Sequence, residues 1–523
     1  MTVLTAVLLL VALATMVATG ARHWRIPAPS LLVVAGLVAG LLPWVPAVHV
    51  APEVISVVVL PPLLYASAEE ISWRELRPVW RPVTVLAFGL VVASAAAVAA
   101  VAARLTPLGA PMALVLGAVL ASTDPVAVTA LGRRLALPPR VRTLVQAESL
   151  FNDATSLVLF KVAVGTAVAA GAFALPAAAG RFAGLGGGGA LVGAAVAGAV
   201  ALIRRRTEDP VLETVVSLVT PYAAFVLAED LHTSGVTAVV VAGVVMGSTG
   251  HRFTNAPIRL QVHAVHRTVV FLLESVVFAL IGLQLPTLVR ELDPVERGWP
   301  LAAGVVAVAA TLIVVRLLWV FPLSAVMQFR RKDGPVSWRV PLVTSWAGTR
   351  GVMPLAAALS IPLATQSGAP LPHRSLLLSL TTGVVVLTLV VQGFTLAPVV
   401  RRSGIALEPE HTAREEAQAR DALSRAGLSY LDQLDDLEAV PESVIVPLRR
   451  QLEAELEPRD GVAGSDRYAD PSGLAAAHRE LRRALIGVQS RELRRLYEAN
   501  LVGDGTWRNV QRALDLEEAG LRE

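Results

Sequence analysis

A series of long apolar runs, extending from Met1 to about Val400, constrains this chain more than any other feature. A membrane core about 30 Å thick needs roughly 20 apolar residues in an α-helix. We divide the region into about thirteen runs of suitable length, from 2–19 at its start to 374–400 at its end. The sequence therefore predicts an all-α polytopic membrane protein with about thirteen transmembrane helices, embedded in a lipid bilayer.

The composition changes at Arg401, where the apolar runs give way to a charged segment with helical periodicity. Within it, six residues recur as the apolar stripe of an amphipathic helix: Leu474, Leu481, Leu485, Val488, Leu493 and Leu496. We predict a transmembrane domain at residues 1–402 and a cytoplasmic C-terminal helical domain at residues 403–523. Regulation of transport and assembly of a dimer are equally consistent roles for the second domain, and its partner is not indicated by the sequence.

Arginine clusters fall in alternate loops between the apolar runs, as at 204–206 and 330–331. Short cytoplasmic loops carry an excess of Lys and Arg, so the pattern predicts an N-terminus outside and a C-terminus in the cytoplasm. The basic residues are thereby explained without nucleic acid. Richness in Ala, Val, Leu and Arg favours a bacterial inner membrane, and the absence of cysteine excludes disulfides, thiolate metal sites and a cysteine nucleophile.

The fifth apolar run contains the string Ser122-Thr123-Asp124-Pro125. Pro125 has no N–H to donate, and it disfavours the helical conformation of the residue before it. We therefore expect a helix break near Asp124. Polar backbone at membrane depth is tolerated only inside the protein or along a water-filled cavity. A simple proline kink capped by Asp124 is the alternative interpretation.

The sixth run carries a polar stripe formed by Ser149, Asn152, Asp153 and Ser156, with Glu148 beside it. Residues four apart lie on one face of a helix, so these side chains are predicted to point into the bundle. A carboxylate surrounded by hydroxyl and amide oxygens suits a hard cation. Burial also favours its protonated form, so Asp153 could hold either a proton or a cation. A hydrogen-bonded contact between helices is the alternative.

Two arginines lie within late apolar runs, Arg316 and Arg350. A buried acid needs a partner of opposite charge, and we assign Arg316 to Glu148. Arg350 lies between Gly348 and Gly351, which weaken the twelfth run, and its guanidinium could bond the carbonyl groups exposed there. For both arginines a purely structural ion pair is the favoured role.

Interrupted helices in the fifth and twelfth runs are typical of transporters built from inverted repeats, whose binding site lies where such helices meet near the midplane. We therefore predict inverted repeats with two discontinuous helices. We detect no repeat at the level of individual residues, so this symmetry is inferred from the breaks.

The sequence resembles the cation/proton antiporters, a family that includes archaeal and bacterial sodium/proton antiporters and animal sodium/proton exchangers. The resemblance spans most of residues 25–400 and rests on the order and spacing of five stretches: Leu60-Pro-Pro-Leu-Leu-Tyr65, Ser122-Thr-Asp-Pro125, Glu148-Ser-Leu-Phe-Asn-Asp153, Leu280-Ile-Gly-Leu-Gln284 and Gly348-Thr-Arg-Gly351.

The resemblance implies a homodimer of thirteen-span protomers and a pair between Glu148 and Arg316. It also implies that Asp153 binds the ion and the proton. The further metal ligands would be Ser149, the Thr123 carbonyl and Asp124. Asn152 would position the site, and an Asn before the Asp implies electroneutral exchange of one Na⁺ for one H⁺. No cofactor is expected beyond the transported Na⁺ and H⁺.

The third run departs from the family pattern. Many relatives have an acidic residue soon after Leu-Pro-Pro, whereas this chain has Ser67 near that position and its acids only at Glu69 and Glu70. Whether either acid replaces the missing one is open, and so is the preference among Na⁺, Li⁺ and K⁺.

The main hypothesis is therefore Na⁺ or Li⁺ exchange for H⁺ by alternating access, with K⁺/H⁺ exchange as the alternative. A remote alternative from another class is an intramembrane aspartyl protease that uses Asp124 and Asp153, but no Gly-x-Gly-Asp string precedes either residue. A channel would move ions without coupling them to protons, and the single titratable ligand argues against that class. The sequence has no phosphate-binding glycine loop, so it does not favour an ATP-driven pump. We accordingly predict a transporter and not an enzyme.

Overall fold

Almost all of the chain that the structure describes is α-helical, and this part contains no β-strand. The structure is a computed structural model that describes residues 11–12, 15–17, 19–20, 28–42, 54–71, 73–123, 139–168, 175–207, 209–249, 255–292, 294–331, 338–365, 368–404, 409–437, 440–456, 472–499 and 501–521. Contacts divide the chain into two compact units. The larger comprises residues 1–207, 212–253 and 264–406, and the smaller comprises residues 208–211, 254–263 and 407–523.

The helices up to Ser403 follow the apolar runs of the sequence. They are α1 (Ala28–Leu41), α2 (Leu60–Glu69), α3 (Trp73–Leu76), α4 (Trp80–Leu105), α5 (Ala110–Leu120), α6 (Pro139–Val168), α7 (Leu175–Arg204), α8 (Pro210–Asp230), α9 (Gly235–Thr249), α10 (Ala256–Glu291), α11 (Trp299–Arg331), α12 (Arg339–Trp346), α13 (Val352–Leu359) and α14 (Arg374–Ser403). A π-helical turn at Ile55–Val59 leads directly into α2.

Seven described helices are long and apolar enough to cross a membrane: α4, α6, α7, α8, α10, α11 and α14. Shorter apolar helices accompany them within α1, α2, α5 and α9. In lipid every backbone polar group must be bonded within the protein, and a bundle of helices meets that requirement. The prediction of an all-α polytopic membrane protein is confirmed. The first predicted run, at 2–19, lies largely outside the described residues.

Two of the apolar runs do not continue as single helices. The twelfth run is divided into α12 and α13, and the residues between Trp346 and Val352 are not helical. Gly348 and Gly351 have low helix propensity, and Pro354 fits the first turn of α13, where N–H groups lack helical partners in any case. In the fifth run α5 already ends at Leu120, whereas Asp124 lies outside the described residues.

Helix α5 is held in place by a close approach to α4 at Gly117. A Cβ atom at this position would collide with the carbonyl oxygen of Ala95. Because glycine has no side chain, the two helix backbones can touch, as small residues allow in membrane helices generally. This contact fixes α5 only a few residues before its end at Leu120.

The smaller unit contains α15 (Pro409–Asp436), α16 (Glu442–Leu456), α17 (Ser472–Glu498) and α18 (Asp504–Gly520). One apolar cluster joins α15, α16 and α17 around Leu448 and Leu485, and a second joins α15, α17 and α18 around Leu493. Of the predicted stripe, Leu481, Leu485, Leu493 and Leu496 are buried and Val488 is partly buried, whereas the side chain of Leu474 is outside the described residues. The larger unit extends to residue 406, against 402 for the predicted domain, and two short earlier segments group with the smaller unit.

We predict that Gly117→Ala lowers the thermal unfolding midpoint of the detergent-solubilised protein. The added methyl group would force α4 and α5 apart, and overpacking of this kind costs about 1–3 kcal/mol. The matched control is Gly198→Ala in α7, where a Cβ meets nothing within 4 Å and helix propensity favours alanine. Equal midpoints for the two variants would contradict the close contact at Gly117.

Candidate ion-binding site

Helix α6 carries the polar stripe of the sixth run into the protein interior. Ser149, Asn152 and Asp153 are all buried, with Asp153 only 6 % exposed. They lie against the end of α5, where Ser122 and Thr123 follow the last helical turn. The fold therefore gathers carboxylate, amide and hydroxyl oxygens at the point where a membrane helix stops.

Asp153 is the carboxylate of this arrangement. Its Oδ1 accepts a hydrogen bond from the hydroxyl group of Ser122. A buried carboxylate is costly unless its charge is compensated by hydrogen bonds, a proton or a cation. Asp153 is thus placed where either a proton or a cation would stabilise it.

Three further hydrogen bonds attach α6 to the end of α5. Ser149 Oγ donates to the Thr123 carbonyl, Asn152 Nδ2 donates to Thr123 Oγ1 at 3.1 Å, and Ser156 Oγ donates to the Ala118 carbonyl at 2.7 Å. The last carbonyl groups of a helix have no partner within it. The polar stripe of α6 therefore supplies hydrogen-bond donors to the end of α5.

The side-chain oxygen of Asn152 is buried and accepts no hydrogen bond from any residue that the structure describes. Such unbonded buried oxygens are rare in proteins and call for an explanation. Asn152 directly precedes Asp153 in the sequence. Its amide oxygen could coordinate a cation or accept a hydrogen bond from a water molecule. Oxygen atoms of these kinds are the ligands that hard cations prefer.

Two predicted ligands, Ser149 and the Thr123 carbonyl, are hydrogen-bonded to each other in this structure. Asp124, the remaining predicted ligand, lies outside the described residues, so its position relative to Asp153 is not given. The structure therefore brings together Asp153, Ser149, Asn152 and Thr123, all of which the sequence singled out.

Glu148 and Arg316 form a bidentate ion pair in the protein interior. Arg316 Nη1 donates to Glu148 Oε1 at 2.6 Å, and Nη2 donates to Oε2 at 2.8 Å. Glu148 and Arg316 are 1 % and 3 % exposed. Parallel bonds between a guanidinium and a carboxylate are among the stronger hydrogen bonds in proteins. The charge of Glu148 is thereby balanced within the protein, five residues before Asp153 on the same helix.

The same arginine also reaches the break between α12 and α13. Its Nε and Nη2 donate to the Thr344 carbonyl at 3.2 and 3.1 Å. A Cβ at Gly348 would come within 2.6 Å of the Arg316 side chain. Arg316 therefore links α6, α11 and the end of α12, and the glycine at 348 leaves the room that it occupies.

Arg350 lies within the break itself and is 2 % exposed. Its Nη1 donates to the Gly348 carbonyl at 3.1 Å, and its backbone N–H donates to Thr388 Oγ1 on α14 at 3.4 Å. Arg350 thus bonds a carbonyl group that the interrupted helix leaves without a helical partner.

Several contributors to the site did not stand out in the sequence. The Thr344 carbonyl is a backbone group, and no side-chain pattern marks it. Thr388 on α14 has no motif around it. Ser122 was noted only as part of a polar string, although it is the residue whose hydroxyl bonds Asp153.

Comparisons with known proteins show which family the chain resembles. A family model described as the transmembrane part of sodium/hydrogen exchangers matches residues 7–402. An uncharacterised Na⁺/H⁺ exchanger of Mycobacterium tuberculosis is 37 % identical over 513 residues, covering 96 % of this chain and 93 % of that protein. The Na⁺/H⁺ antiporter ApNhaP of Aphanothece halophytica is 32 % identical over 428 residues, covering 81 % of this chain and 78 % of its own.

A solved structure is also similar. The sodium proton antiporter MjNhaP1 from Methanocaldococcus jannaschii superimposes with a TM-score of 0.63 and 21 % sequence identity, covering 76 % of this chain and 98 % of that chain. At this identity the match concerns the fold.

We predict that Glu148→Gln strongly destabilises the protein, because Arg316 would keep a buried charge without its counterion. Removing one member of a buried ion pair lowers the free energy of unfolding by about 3–5 kcal/mol. The matched control is Glu229→Gln, which removes the partner of Lys161 from a pair that is 30 % and 37 % exposed. Thermal unfolding in detergent measures both. A Glu148→Gln midpoint no lower than that of Glu229→Gln would contradict the prediction.

Proposed function

Because the chain belongs to the sodium/hydrogen exchanger family, we propose that it exchanges Na⁺ or Li⁺ for H⁺ by alternating access, with the two ions competing for Asp153. The chain is a multi-pass membrane protein, and its relatives are transporters, so it is a transporter and not an enzyme. An aspartyl protease is thereby set aside.

The observation that carries this proposal is the environment of Asp153. The carboxylate is buried, bonded by the Ser122 hydroxyl, and close to the interrupted end of α5. A proton removes its negative charge, and a cation balances it, so either one relieves the cost of burial. Two ions that relieve the same cost at the same oxygen atoms exclude each other, which is the basis of exchange.

The buried Glu148–Arg316 pair supports a simple stoichiometry. Since Arg316 already balances Glu148, Asp153 is the carboxylate of the α6 stripe that we assign to the transported ions. One such group exchanging one Na⁺ for one H⁺ makes the cycle electroneutral. Asn152, ahead of Asp153, agrees with the electroneutral members of the family that the sequence resembles.

The remaining ligands and assembly are part of the same proposal. Ser149, the Thr123 carbonyl and Asp124 would complete the cation site, and Asp124 enters on its sequence position alone. Arg350 would hold the interrupted α12–α13 segment in place. We propose that the protein is a homodimer in a bacterial inner membrane and that it uses no cofactor. Its N-terminus would lie outside and its C-terminus in the cytoplasm.

The test is exchange in liposomes that contain the purified protein, a pH-sensitive dye and a preset pH gradient. Na⁺, Li⁺, K⁺ and choline are added in turn, with and without a clamped membrane potential. We expect Na⁺ or Li⁺ to collapse the gradient at a rate independent of the potential. Asp153→Asn should abolish this response, whereas Asp230→Asn, an exposed carboxylate at the end of α8, should not.

A response to K⁺ alone would make the protein a K⁺/H⁺ exchanger of the same mechanism. A rate that follows the membrane potential would contradict electroneutral exchange. Full activity of Asp153→Asn would overturn the assignment of Asp153.

We predict that Ser122→Ala raises the apparent KM for Na⁺. The Ser122 hydroxyl stabilises the ionised carboxylate that also binds the cation, so its loss favours the competing proton. A hydrogen bond to a charged group is worth about 1.5–3 kcal/mol, which corresponds to an effect of roughly ten- to a hundredfold. The increase should shrink as the pH is raised, because proton competition then fades.

The control for this variant is Thr311→Val in α11, whose hydroxyl bonds the carbonyl of Ala307 in its own helix. Its KM should stay within about twofold of wild type, as expected where only an intrahelical hydroxyl contact is lost. A KM increase in Ser122→Ala that is constant across pH would contradict competition at Asp153.

A further inference from the structure

Toward the C-terminal end of α6, an ion pair lies apart from the Asp153 site. Lys161 Nζ on α6 donates to Glu229 Oε1 in the last turn of α8. The two side chains are 30 % and 37 % exposed, and both residues belong to the larger unit. Ionisable residues within membrane helices pair with one another and face the bundle interior or a water-filled cavity. The pair therefore marks a polar region of the larger unit that is separate from the end of α5.

Asp153, Leu157 and Lys161 follow one another along α6. Residues four apart are stacked on a helix surface, and the helical rise places Lys161 about 12 Å from Asp153 along the helix axis. Leu157, between them, is 4 % exposed, whereas the Lys161 side chain is partly exposed. A buried apolar side chain and then an ion pair thus lie on the line from the carboxylate toward the end of α6.

The two charges are attached to different groups of helices. Lys161 is part of the helix that bonds α5 through Ser156 and α11 through Glu148. Glu229 is held from the other direction, because its Oε1 also accepts the backbone N–H of Gly235, the first residue of α9, at 2.9 Å. A Cβ atom at Gly235 would lie 2.8 Å from this oxygen, so glycine leaves room for the bond.

Helix α9 in turn packs closely against α2 and α7. A Cβ atom at Gly247 in α9 would collide with the backbone of α2, and one at Gly193 in α7 would collide with the backbone of α9. Small residues allow membrane helices to approach this closely, and Glu229 links α8 to the same group. The ion pair therefore crosses from the helix that carries Asp153 to a second set of closely packed helices.

We propose that Lys161 and Glu229 form an outer gate, an ion pair that closes the route from the outside to Asp153 and separates when the site opens to that side. The gate rests on the proposed antiport and orientation, under which α6 begins at the cytoplasmic side and Lys161 lies outward of Asp153. Alternating access requires that the site be closed on one side while it is open on the other. The paired charges and the buried Leu157 provide such a closure on the outward side.

The partial exposure of this pair suits a contact that forms and breaks in every cycle. Ion pairs that water can reach contribute little to stability. Separating a buried pair such as Glu148–Arg316 leaves a charge without its counterion and is costly. Glu148–Arg316 is therefore the permanent ion pair of α6, and Lys161–Glu229 is the one that can open. Once separated, each of its charges can be solvated by water that enters from the outside.

The first experiment measures access rather than transport. The chain contains no cysteine, so Leu157→Cys introduces a single thiol between the gate and Asp153. The protein is placed in oriented liposomes, and an uncharged, membrane-impermeant methanethiosulfonate is added on the outer side. Adding Glu229→Gln or Lys161→Gln should raise the labelling rate about two- to fivefold, the range expected when a partly exposed ion pair is lost.

The matched control is Asp230→Asn, which neutralises the exposed carboxylate next to Glu229 and should keep the labelling rate of the Leu157→Cys parent. Reagent on the cytoplasmic side should not label the gate variants faster, which excludes a general loosening of the fold. If neither gate variant is labelled faster from the outside, the proposal is overturned. If labelling rises as expected but no cation is exchanged, the gate stands and the antiport proposal fails.

The second experiment locks the pair. In Lys161→Cys/Glu229→Cys, a flexible bifunctional methanethiosulfonate should join α6 to α8 and stop the exchange of Na⁺ or Li⁺ for H⁺, and a reducing agent should restore it. The controls are the two single variants, in which the same reagent can react but cannot join the helices, so exchange should continue. Undiminished exchange in protein that mass spectrometry shows to be crosslinked would overturn the gate.

Discussion

The ion pair between Glu148 and Arg316 is the interaction on which the interior of the larger unit depends. It places a carboxylate from α6 and a guanidinium from α11 in full contact, away from water. The remaining donors of Arg316 bond the Thr344 carbonyl at the end of α12. One side chain therefore connects the helix that carries Asp153 to a helix that is interrupted inside the membrane. Without Arg316, Glu148 would keep a buried charge with no counterion, and the Thr344 carbonyl would lose two donors.

A helix that ends inside the protein leaves carbonyl groups without helical partners, but it also provides polar surroundings for other groups. Where α5 stops, its last carbonyl groups have no helical partners, and the hydroxyl groups of Ser149 and Ser156 bond two carbonyls in this region. The same arrangement brings Ser122 to Asp153. A helix that continued unbroken would satisfy its own backbone and would present only side chains. The break therefore supplies the polar surroundings in which a buried carboxylate can exist.

Much of this could be predicted from sequence, because it depends on local rules. Apolar run lengths indicate membrane helices, the spacing of Ser149, Asn152 and Asp153 indicates one helix face, and Gly348 and Gly351 indicate a break. Contacts between distant segments follow less directly. Glu148 could be matched to Arg316 because few buried bases were available, but nothing near Thr344 marks its carbonyl as a partner.

The contact between Glu69 on α2 and His266 on α10, with 3.4 Å between Oε2 and Nδ1, illustrates the same limit. Glu69 stood out only as an acid that comes later than the family pattern expects. Its contact with His266 depends on how α2 and α10 pack, which no periodicity within either helix determines.

The two interrupted segments differ in their electrical character. The break between α12 and α13 is lined by two guanidinium groups, with Arg316 on the Thr344 carbonyl and Arg350 on the Gly348 carbonyl. The end of α5 is instead served by neutral hydroxyl and amide groups. Because Glu148 already balances Arg316, Arg350 brings the further positive charge to the break between α12 and α13. The two segments therefore satisfy their exposed carbonyl groups by different means, one with charged donors and the other with neutral ones.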